Sequence, residues 1–300
     1  MSRNKVAVFG VPTAAGAAAP GGDRAPFVLR EAGLLRELRA TGATVVNLSD
    51  LSLFPWRDDA EHAHARNQEV VACAVRAAAD ETTRALAEGF TIVLGGDCTL
   101  VAGVAGGARA FLGQPIGVVY IDANADLNTP ETTPSGRLNG MALALALGRG
   151  PAEVVAAAGA VPAVQPDHVA LVGFRELDPG ERAPLGELGL ALPAQAARRL
   201  GMRVSAALAL DGVANGDGPV LVHLDVDVID PAEMPAINGS TPGAGLTYAE
   251  TAELVTALLA SPRVVALEVC ELQPGRDPDG ACARRVIDLL VRAITRRLRA

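Results

Sequence analysis

The chain of 300 residues is half hydrophobic and 20% charged, which supports a sizeable core and excludes an intrinsically disordered chain. Its 26 basic and 34 acidic residues give a net charge of −8, and 3% of residues are aromatic, so nucleic-acid binding is not expected. The four cysteines have no CxxC pairing, which excludes a disulfide scaffold and most structural zinc ribbons. No apolar run approaches the roughly 20 residues of a membrane span. The apolar stretch near the N-terminus is too short for a secretory signal. We therefore expect a cytoplasmic protein that binds neither membranes nor nucleic acids.

Short apolar runs alternate along the chain with longer segments of helical periodicity. The runs predicted as strands cover residues 5–9, 44–48, 91–94, 117–121, 169–173, 220–228 and 264–269. The segments predicted as helices cover residues 26–40, 66–88, 138–148, 248–259 and 283–298. Many of the strands are apolar on both faces, as strands in a covered parallel sheet are. The alternation predicts a three-layer α/β/α fold with a mainly parallel central sheet, in a single domain that spans residues 1–300.

Acidic side chains follow two of these strands, at the end where open α/β sheets bind their ligands. Asp122, Asn124 and Asp126 follow the fourth predicted strand at a spacing of two. Asp225 and Asp227 have the same spacing in the sixth. Because side chains alternate between the faces of a strand, each set is expected to point one way. Carboxylates gathered in one crevice repel each other unless divalent cations lie among them, so the two motifs together predict a metal site. For either motif alone, helix capping remains an alternative.

These motifs are part of a longer series that resembles the ureohydrolase family, which includes arginases and agmatinases. The series comprises Val8-Phe-Gly-Val-Pro12, Gly95-Gly-Asp97, Asp122-Ala-Asn-Ala-Asp126, Asn128-Thr-Pro130, Ser135-Gly136, Gly140-Met141, His223-Leu-Asp-Val-Asp227, Asp230-Pro231, Gly245-Leu-Thr247 and Glu271. The resemblance covers essentially the whole chain. It implies an arginase-like fold and a two-manganese cluster whose bridging hydroxide attacks a guanidine carbon to give an amine and a urea.

The resemblance implies a metal-binding role for each aspartate. Asp122 and Asp225 look like ligands that bridge both metals. Asp126 looks like a ligand of the first metal that also handles the proton of the hydroxide, and Asp227 looks like a ligand of the second. Two close metals lower the pKa of the water between them and stabilise the developing tetrahedral centre. The family pattern implies two Mn²⁺ ions per chain, with one ion or another divalent metal as open alternatives.

The chain departs from the family where three motif histidines are missing. Cys98 occupies the position of the histidine that binds the first metal in the family. Asn124 occupies the position of the histidine that binds the second. A thiolate favours softer ions such as Zn²⁺, whereas an amide oxygen favours harder ions such as Mn²⁺. Asn139 replaces the proton-shuttling histidine of arginases, and loss of such a group typically costs about 10²–10⁴-fold in rate. An ordinary buried cysteine is the alternative for Cys98. His223 is interpreted as a packing or supporting residue, with ligation as its alternative.

The resemblance to arginases also implies a site for the amino-acid end of the substrate. Asn128, Ser135 and Asp178 match positions that hold this end, and Glu271 matches the glutamate that binds the guanidinium. Asn128 and Ser135 also suit turns, and turn formation is their alternative role. For Glu271, the alternative is that it is a surface acid that follows a strand and has no role in the site.

The sequence therefore predicts a metal-dependent amidinohydrolase. Its small-molecule guanidino substrate would be arginine or an N-modified arginine such as Nω-hydroxy-L-arginine, and its products ornithine and urea or a substituted urea. The chain resembles Nω-hydroxy-L-arginine hydrolases in Cys98 and in the loop at 128–133. The alternatives are an impaired or inactive arginase-fold protein that binds a guanidino amino acid, and a one-metal enzyme with changed chemistry. Members of the ureohydrolase family form homo-oligomers, and the resemblance leaves a homo-oligomer open for this chain.

Overall fold

The computed structural model describes residues 4–214, 216–238 and 242–300. In that part of the chain, eight strands form one sheet in the order β2-β1-β3-β8-β7-β4-β5-β6, and every neighbouring pair is parallel. The strands are β1 Lys5–Gly10, β2 Thr44–Asn47, β3 Phe90–Leu94, β4 Gly117–Ile121, β5 Val169–Val172, β6 Leu190–Leu192, β7 Val220–Asp225 and β8 Val264–Cys270. The side chains of β1 alternate between the two helix layers, because Val6 and Val8 face one hydrophobic core and Ala7 and Phe9 the other.

Helices cover both faces of the sheet, which confirms the predicted three-layer α/β/α architecture. The helices are α1 Ala25–Glu31, α2 Leu34–Ala40, α3 Gln68–Glu88, α4 Leu100–Leu112, α5 Ala142–Ala146, α6 Ala152–Ala157, α7 Arg182–Leu185, α8 Ala194–Leu200, α9 Met202–Gly212, α10 Tyr248–Leu259 and α11 Ala281–Arg299. One core contains α1, α2 and α8 to α11, and the other contains α3 to α6. No helix in the described ranges has the length and apolar character needed to cross a membrane.

Three predicted elements differ from the observed ones. The helix predicted over residues 138–148 is a 3-10 turn at Asn139–Met141 followed by the short helix α5. The helix predicted over residues 26–40 is two helices, because Gly33 adopts a left-handed backbone with φ 97° between α1 and α2. The strand predicted over residues 220–228 ends at Asp225, and a 3-10 turn at Val226–Val228 follows it. The single domain expected over residues 1–300 stays a prediction.

The strand order determines which chain segments meet at the carboxyl edge of the sheet. Strands β8 and β7 lie between β3 and β4. The segments that follow these four strands therefore converge on one crevice, although they are far apart in sequence.

Candidate metal centre

A pocket of about 520 Å³ opens at the carboxyl edge of the sheet. Most residues predicted for the site line it, namely Cys98, Asn124, Asp126, Asn128, Ser135, Asn139, Asp178, Asp225, Asp227 and Glu271. Asp122 is the one predicted site residue absent from this lining, and it is buried with 1% of its surface exposed. The structure thus brings together in space residues that the sequence spreads over about half of the chain.

Tight turns, rather than strand alternation, orient the aspartates. Strand β4 ends before Asp122, whose Oδ1 accepts a 2.7 Å bond from the backbone N–H of Asn124. Asp225 is the last residue of β7, and its Oδ1 accepts a 2.7 Å bond from the N–H of Asp227. The Oδ1 of Asp227 accepts a 3.2 Å bond from the N–H of Ala123. The expectation that strand alternation aligns each motif was therefore wrong, because the strands end at Ile121 and Asp225 and the aspartate at the start of each motif instead accepts a bond from the N–H two residues onward.

The aspartates form a buried centre of negative charge. Asp122, Asp126, Asp225 and Asp227 are each at most 6% exposed. Burial first, and then neighbouring carboxylates, raise the pKa of Asp122 and Asp225 well above the usual range. The Oδ2 of Asp122 has no hydrogen-bond partner among the residues described. Such a centre is stabilised by protons or by cations, and the unpaired oxygen is suited to a cation.

Asp126 and Glu271 both adopt the left-handed backbone conformation, with φ 53° and 63°. This conformation is uncommon outside glycine and is frequent at functional sites. The hydroxyl of Tyr120 donates a 2.6 Å bond to Oδ2 of Asp126. The N–H of Glu271 donates a 2.8 Å bond to the carbonyl of Gly96, in the loop after β3. A bond from β4 therefore fixes the carboxylate of Asp126, and a backbone bond to the loop after β3 fixes the backbone of Glu271.

Cys98 is buried at the inner end of the pocket. Its Sγ donates a 2.9 Å bond to Oδ2 of Asp225 and lies 3.1 Å from Sγ of Cys270. Donor atoms of Cys98, Asp122 and Asp225 all lie within 4.8 Å of one another. Burial raises the pKa of the Cys98 thiol well above its usual range. A divalent ion bound there would favour the thiolate instead.

Glu271 is buried, and only one of its two carboxylate oxygens has a hydrogen-bond partner among the described residues. Its Oε2 accepts a 3.3 Å bond from Nδ2 of Asn238, and its Oε1 has no partner within the described ranges. Burial first, then Asp97, Asp227 and Asp126, raise the pKa of Glu271 to about 8. The surface position considered as an alternative for Glu271 was therefore wrong, because the side chain is 3% exposed.

The outer part of the pocket joins two of the predicted substrate-binding residues. Nδ2 of Asn128 donates a 2.8 Å bond to Oδ2 of Asp178, and Oγ1 of Thr132 donates a 3.0 Å bond to Oδ1 of Asn128. Ser135 is exposed, and its Oγ accepts a 3.2 Å bond from the N–H of Arg137. Asn128 and Ser135 both line the pocket.

His223 packs as the sequence predicted, whereas its contact with Cys270 was not predicted. His223 Nδ1 lies 3.0 Å from Oε2 of Glu268, and its Nε2 lies 3.6 Å from Sγ of Cys270. The His223 ring stacks on Tyr120 with centroids 4.2 Å apart. The parallel register of β7 and β8 pairs His223 with Glu268 and Asp225 with Cys270. Knowledge of this register would have predicted the contacts of His223, but the register can be aligned only once β7 and β8 are known to be neighbours.

Together, the parallel sheet and the acidic pocket at its carboxyl edge define an α/β protein of the doubly wound kind with a carboxylate centre. The chain belongs to the Arginase family, whose family model matches residues 4–295. The arginase of Bacillus subtilis is 31% identical over 298 residues, which cover 98% of both chains. That of Brucella melitensis is 33% identical over 296 residues, covering 96% of this chain and 95% of its own. The solved arginase of Bacillus caldovelox has a TM-score of 0.88 at 29% identity and covers 97% of this chain and 98% of its own. The predicted family and arginase-like fold are thereby confirmed.

Proposed function

We propose that the chain is a metal-dependent amidinohydrolase that acts on the guanidino group of arginine or of an N-modified arginine. The observation that carries the proposal is the position of Glu271 in the pocket of the aspartates. Its buried Oε1 has no partner in the described part of the chain, and charge-assisted pairing with a guanidinium would satisfy it. The sequence similarity to proteins named arginase supports the same class of substrate.

The donor set fits divalent cations. Three converging donors and the unpaired Oδ2 of Asp122 provide the core of a site. We assign Cys98, Asp122, Asp126 and Asp225 to a first ion, and Asp122, Asn124, Asp225 and Asp227 to a second. Nδ2 of Asn124 donates a 3.4 Å bond to Asp227, so the amide must rotate to present its oxygen to the second ion. The oxygen donors suit Mn²⁺, which is the metal we propose for the second position.

When bound, two divalent ions would supply a water of lowered pKa and would stabilise charge that develops at the guanidine carbon. Glu271 would orient the guanidinium through its free carboxylate oxygen. Asp126 would accept the proton released from the water, and the hydrogen bond from Tyr120 would keep its carboxylate in position. The left-handed backbone of both acids would keep the two carboxylates in place without a rearrangement.

The residue at position 139 limits the range of guanidino compounds that the site can hydrolyse efficiently. Asn139 lines the pocket, and its Oδ1 accepts a 3.0 Å bond from the N–H of Gly140. An amide does not take up or release protons at neutral pH, so the leaving amine receives no proton from this position. N-hydroxyguanidines are less basic than guanidines and need such a donor less. We therefore propose Nω-hydroxy-L-arginine as the preferred substrate, with arginine as the slower one.

The amino-acid end of the substrate would bind at the pocket mouth. Asp178 offers a carboxylate to the ammonium, and Asn128 offers its amide to the carboxylate. Arg137 lines the same pocket and adds a positive charge on the carboxylate side. Ser135, which is exposed beside Arg137, can donate its hydroxyl proton to the same group.

The test is product analysis with purified protein reconstituted with Mn²⁺. The protein is incubated separately with arginine, Nω-hydroxy-L-arginine and agmatine, and ornithine, urea and hydroxyurea are quantified. We expect ornithine and hydroxyurea from Nω-hydroxy-L-arginine, less product from arginine, and loss of both in Glu271→Gln. Absence of product from every guanidine, with metal content verified, would contradict the proposal.

One observation favours a second candidate, a protein that binds a guanidino amino acid without hydrolysing it. Asn124 directs its amide N–H at Asp227 and thereby uses an oxygen that the second ion needs. If the amide does not rotate, the chain holds one ion at most, and its chemistry is changed or absent. Calorimetric binding of Nω-hydroxy-L-arginine without any product would support this candidate over hydrolysis.

A further inference from the structure

A group of soft and basic donors lies behind the aspartates. It consists of Cys98, Cys270 and His223, which we call the thiol cluster. All three residues are buried, and their donor atoms lie within 4.8 Å of one another. Cys98 belongs to the pocket lining, but Cys270 and His223 do not, so the cluster extends from the pocket floor into the protein. The metal pair of the proposed function uses neither Cys270 nor His223.

The imidazole of the cluster is held in the orientation that a metal ligand requires. Nδ1 of His223 lies 3.0 Å from Oε2 of Glu268, and both side chains are fully buried. A proton on Nδ1 directed at Glu268 leaves the lone pair of Nε2 facing Cys270. Histidine ligands in metal sites are commonly fixed by a carboxylate in this way. Stacking on Tyr120, with the ring planes 9° apart, restricts rotation of the imidazole further.

The spacing of the donors is close to that of a tetrahedral site. Zinc bonds of about 2.3 Å to sulfur and about 2.0 Å to nitrogen place two sulfurs about 3.8 Å apart and a sulfur and a nitrogen about 3.6 Å apart. The distance from Cys270 Sγ to His223 Nε2 is 3.6 Å. The two Sγ atoms are 3.1 Å apart. They would move apart by about 0.7 Å to bind an ion between them. These three side chains are the donors that the protein supplies, and a water molecule would complete the tetrahedron.

We propose that the thiol cluster is a three-donor site for a soft divalent ion of the zinc class, with a water molecule as the fourth ligand of the tetrahedron. On binding, each thiol would lose its proton to the solvent and form a bond from sulfur to the metal. The hydrogen bond from Cys98 to Asp225 would thereby be replaced by the bond from Cys98 to the ion. The site shares Cys98 with the metal pair of the proposed function, but it does not require that the chain hydrolyse a guanidine.

The proposal reconciles the opposite metal preferences of Cys98 and Asn124. A donor set of two sulfurs and one imidazole is typical of zinc, whereas amide and carboxylate oxygens suit Mn²⁺. With the soft ion in the thiol cluster, Asn124 and Asp227 are left for a harder ion. Asp225 would likewise ligate the harder ion. The soft ion would then take the place of the first ion of the proposed function, so that the chain holds two different ions, with the soft one further from the pocket mouth.

Two spectroscopic measurements on the intact chain test this site. Protein that has been reduced and freed of metal is titrated with Co²⁺, and the thiolate-to-cobalt charge-transfer band in the near ultraviolet is recorded. We expect one equivalent to produce the band and Zn²⁺ to abolish it. X-ray absorption at the zinc edge should then show two sulfur neighbours at about 2.3 Å. One sulfur, which would be Cys98 alone, or none would overturn the proposal.

Variants separate this inference from the proposed function. Cys270→Ser and His223→Asn should lower Zn²⁺ affinity at least tenfold, by analogy with the effects of altered metal-ligand shells. Cys282→Ser, which changes a buried cysteine in α11, is the matched control and should keep the cobalt band. Asp227→Asn should keep the band and lose hydrolysis. If the parent chain shows the cobalt band but forms no product from any guanidine, only the proposed function is contradicted. If it forms product but shows no cobalt band, only the thiol-cluster site is overturned.

Discussion

The hydroxyl of Tyr120 donates a 2.6 Å hydrogen bond to Oδ2 of Asp126, while the ring of Tyr120 stacks on His223. Tyr120 lies in β4 and thereby connects the acid proposed to hold the reaction's proton with the imidazole of the thiol cluster. Replacing its hydroxyl alone would separate these two contacts.

Tyr120→Phe is predicted to lower kcat about tenfold or more, because a hydrogen bond to a charged group contributes roughly 1.5–3 kcal/mol. The KM should change little, since the hydroxyl contacts the carboxylate and not the proposed substrate position. Steady-state kinetics with Nω-hydroxy-L-arginine measure both constants. Tyr248→Phe is the control, because this tyrosine bonds to Asp288, neither residue lines the pocket, and the change should leave kcat unchanged. Equal losses in the two variants would contradict the role given to Tyr120.

Asp122→Asn is predicted to have opposite effects on the metal-free and the metal-bound protein. Without metal, the neutral amide removes a buried charge and one member of a repelling group, so the free energy of unfolding should rise or stay equal. With metal at about 100 times the dissociation constant, the parent should gain about 2.7 kcal/mol, and the variant much less. Urea unfolding with and without metal measures both differences. A variant that is less stable in both conditions would indicate that Asp122 is needed for folding and not for metal binding.

The metal-free protein is predicted to lose stability as pH rises. Because the pKa of Glu271 is raised from 4.5 to about 8, the folded state binds more protons than the unfolded state between these values. The contribution of Glu271 is therefore fully present below pH 4.5 and is lost as pH rises towards 8, with a slope of up to about 1.4 kcal/mol per pH unit. Chelator-treated parent and Glu271→Gln are unfolded in urea from pH 5 to 8. The parent should lose stability relative to the variant, and a constant difference would contradict the raised pKa.

Asn128→Ala is predicted to raise the KM for amino-acid substrates about tenfold. The change removes one donor to the substrate carboxylate and the bond that orients Asp178, a loss of roughly 1–3 kcal/mol. Agmatine lacks the carboxylate, so any turnover of agmatine should be less affected. Thr129→Ala, one residue further along the chain, is the matched control, because its hydroxyl bonds to Glu131 at the surface. A similar KM for arginine in Asn128→Ala and in the parent would show that the amide does not contact the substrate.

Much of the sheet and of the helical layers could be predicted from the sequence, because the segments carry clear local signals. β4 was predicted with its observed bounds, and so was α10, Tyr248–Leu259. At the start of α10, Thr247 Oγ1 accepts from the N–H of Glu250 while the Glu250 carboxylate accepts from Thr247 N–H. Such a capping box has a local signature, a threonine followed three residues later by a glutamate, that the amino-acid sequence displays directly.

Helix α4 was missed because its sequence lacks a polar face. It is buried along most of its length and contains three glycines. A Cβ on Gly103 would lie 2.2 Å from the carbonyl oxygen of Val75, and one on Gly107 would lie 2.2 Å from that of Ala79. These glycines allow α4 to approach the backbone of α3, and this tertiary requirement outweighs their low helix propensity.

The aspartates of the candidate site could be predicted because each motif is local in sequence. The thiol cluster could not, because Cys98 and Cys270 meet only through the parallel pairing of β3 with β8. Two single cysteines at a sequence separation of 172 residues carry no spacing signal. The orientation of His223 depends on Glu268, which lies on the neighbouring strand. Contacts that depend on strand order were therefore beyond the reach of sequence reasoning.

The most direct test of the metal centre is elemental analysis of the untagged chain after equilibration with equimolar Mn²⁺ and Zn²⁺ and removal of unbound metal. Our account predicts one zinc and one manganese per chain, with manganese lost in Asp227→Asn and zinc lost in Cys270→Ser. A parent chain that retains less than one ion in total would contradict it, because the buried carboxylates would then be stabilised by protons alone.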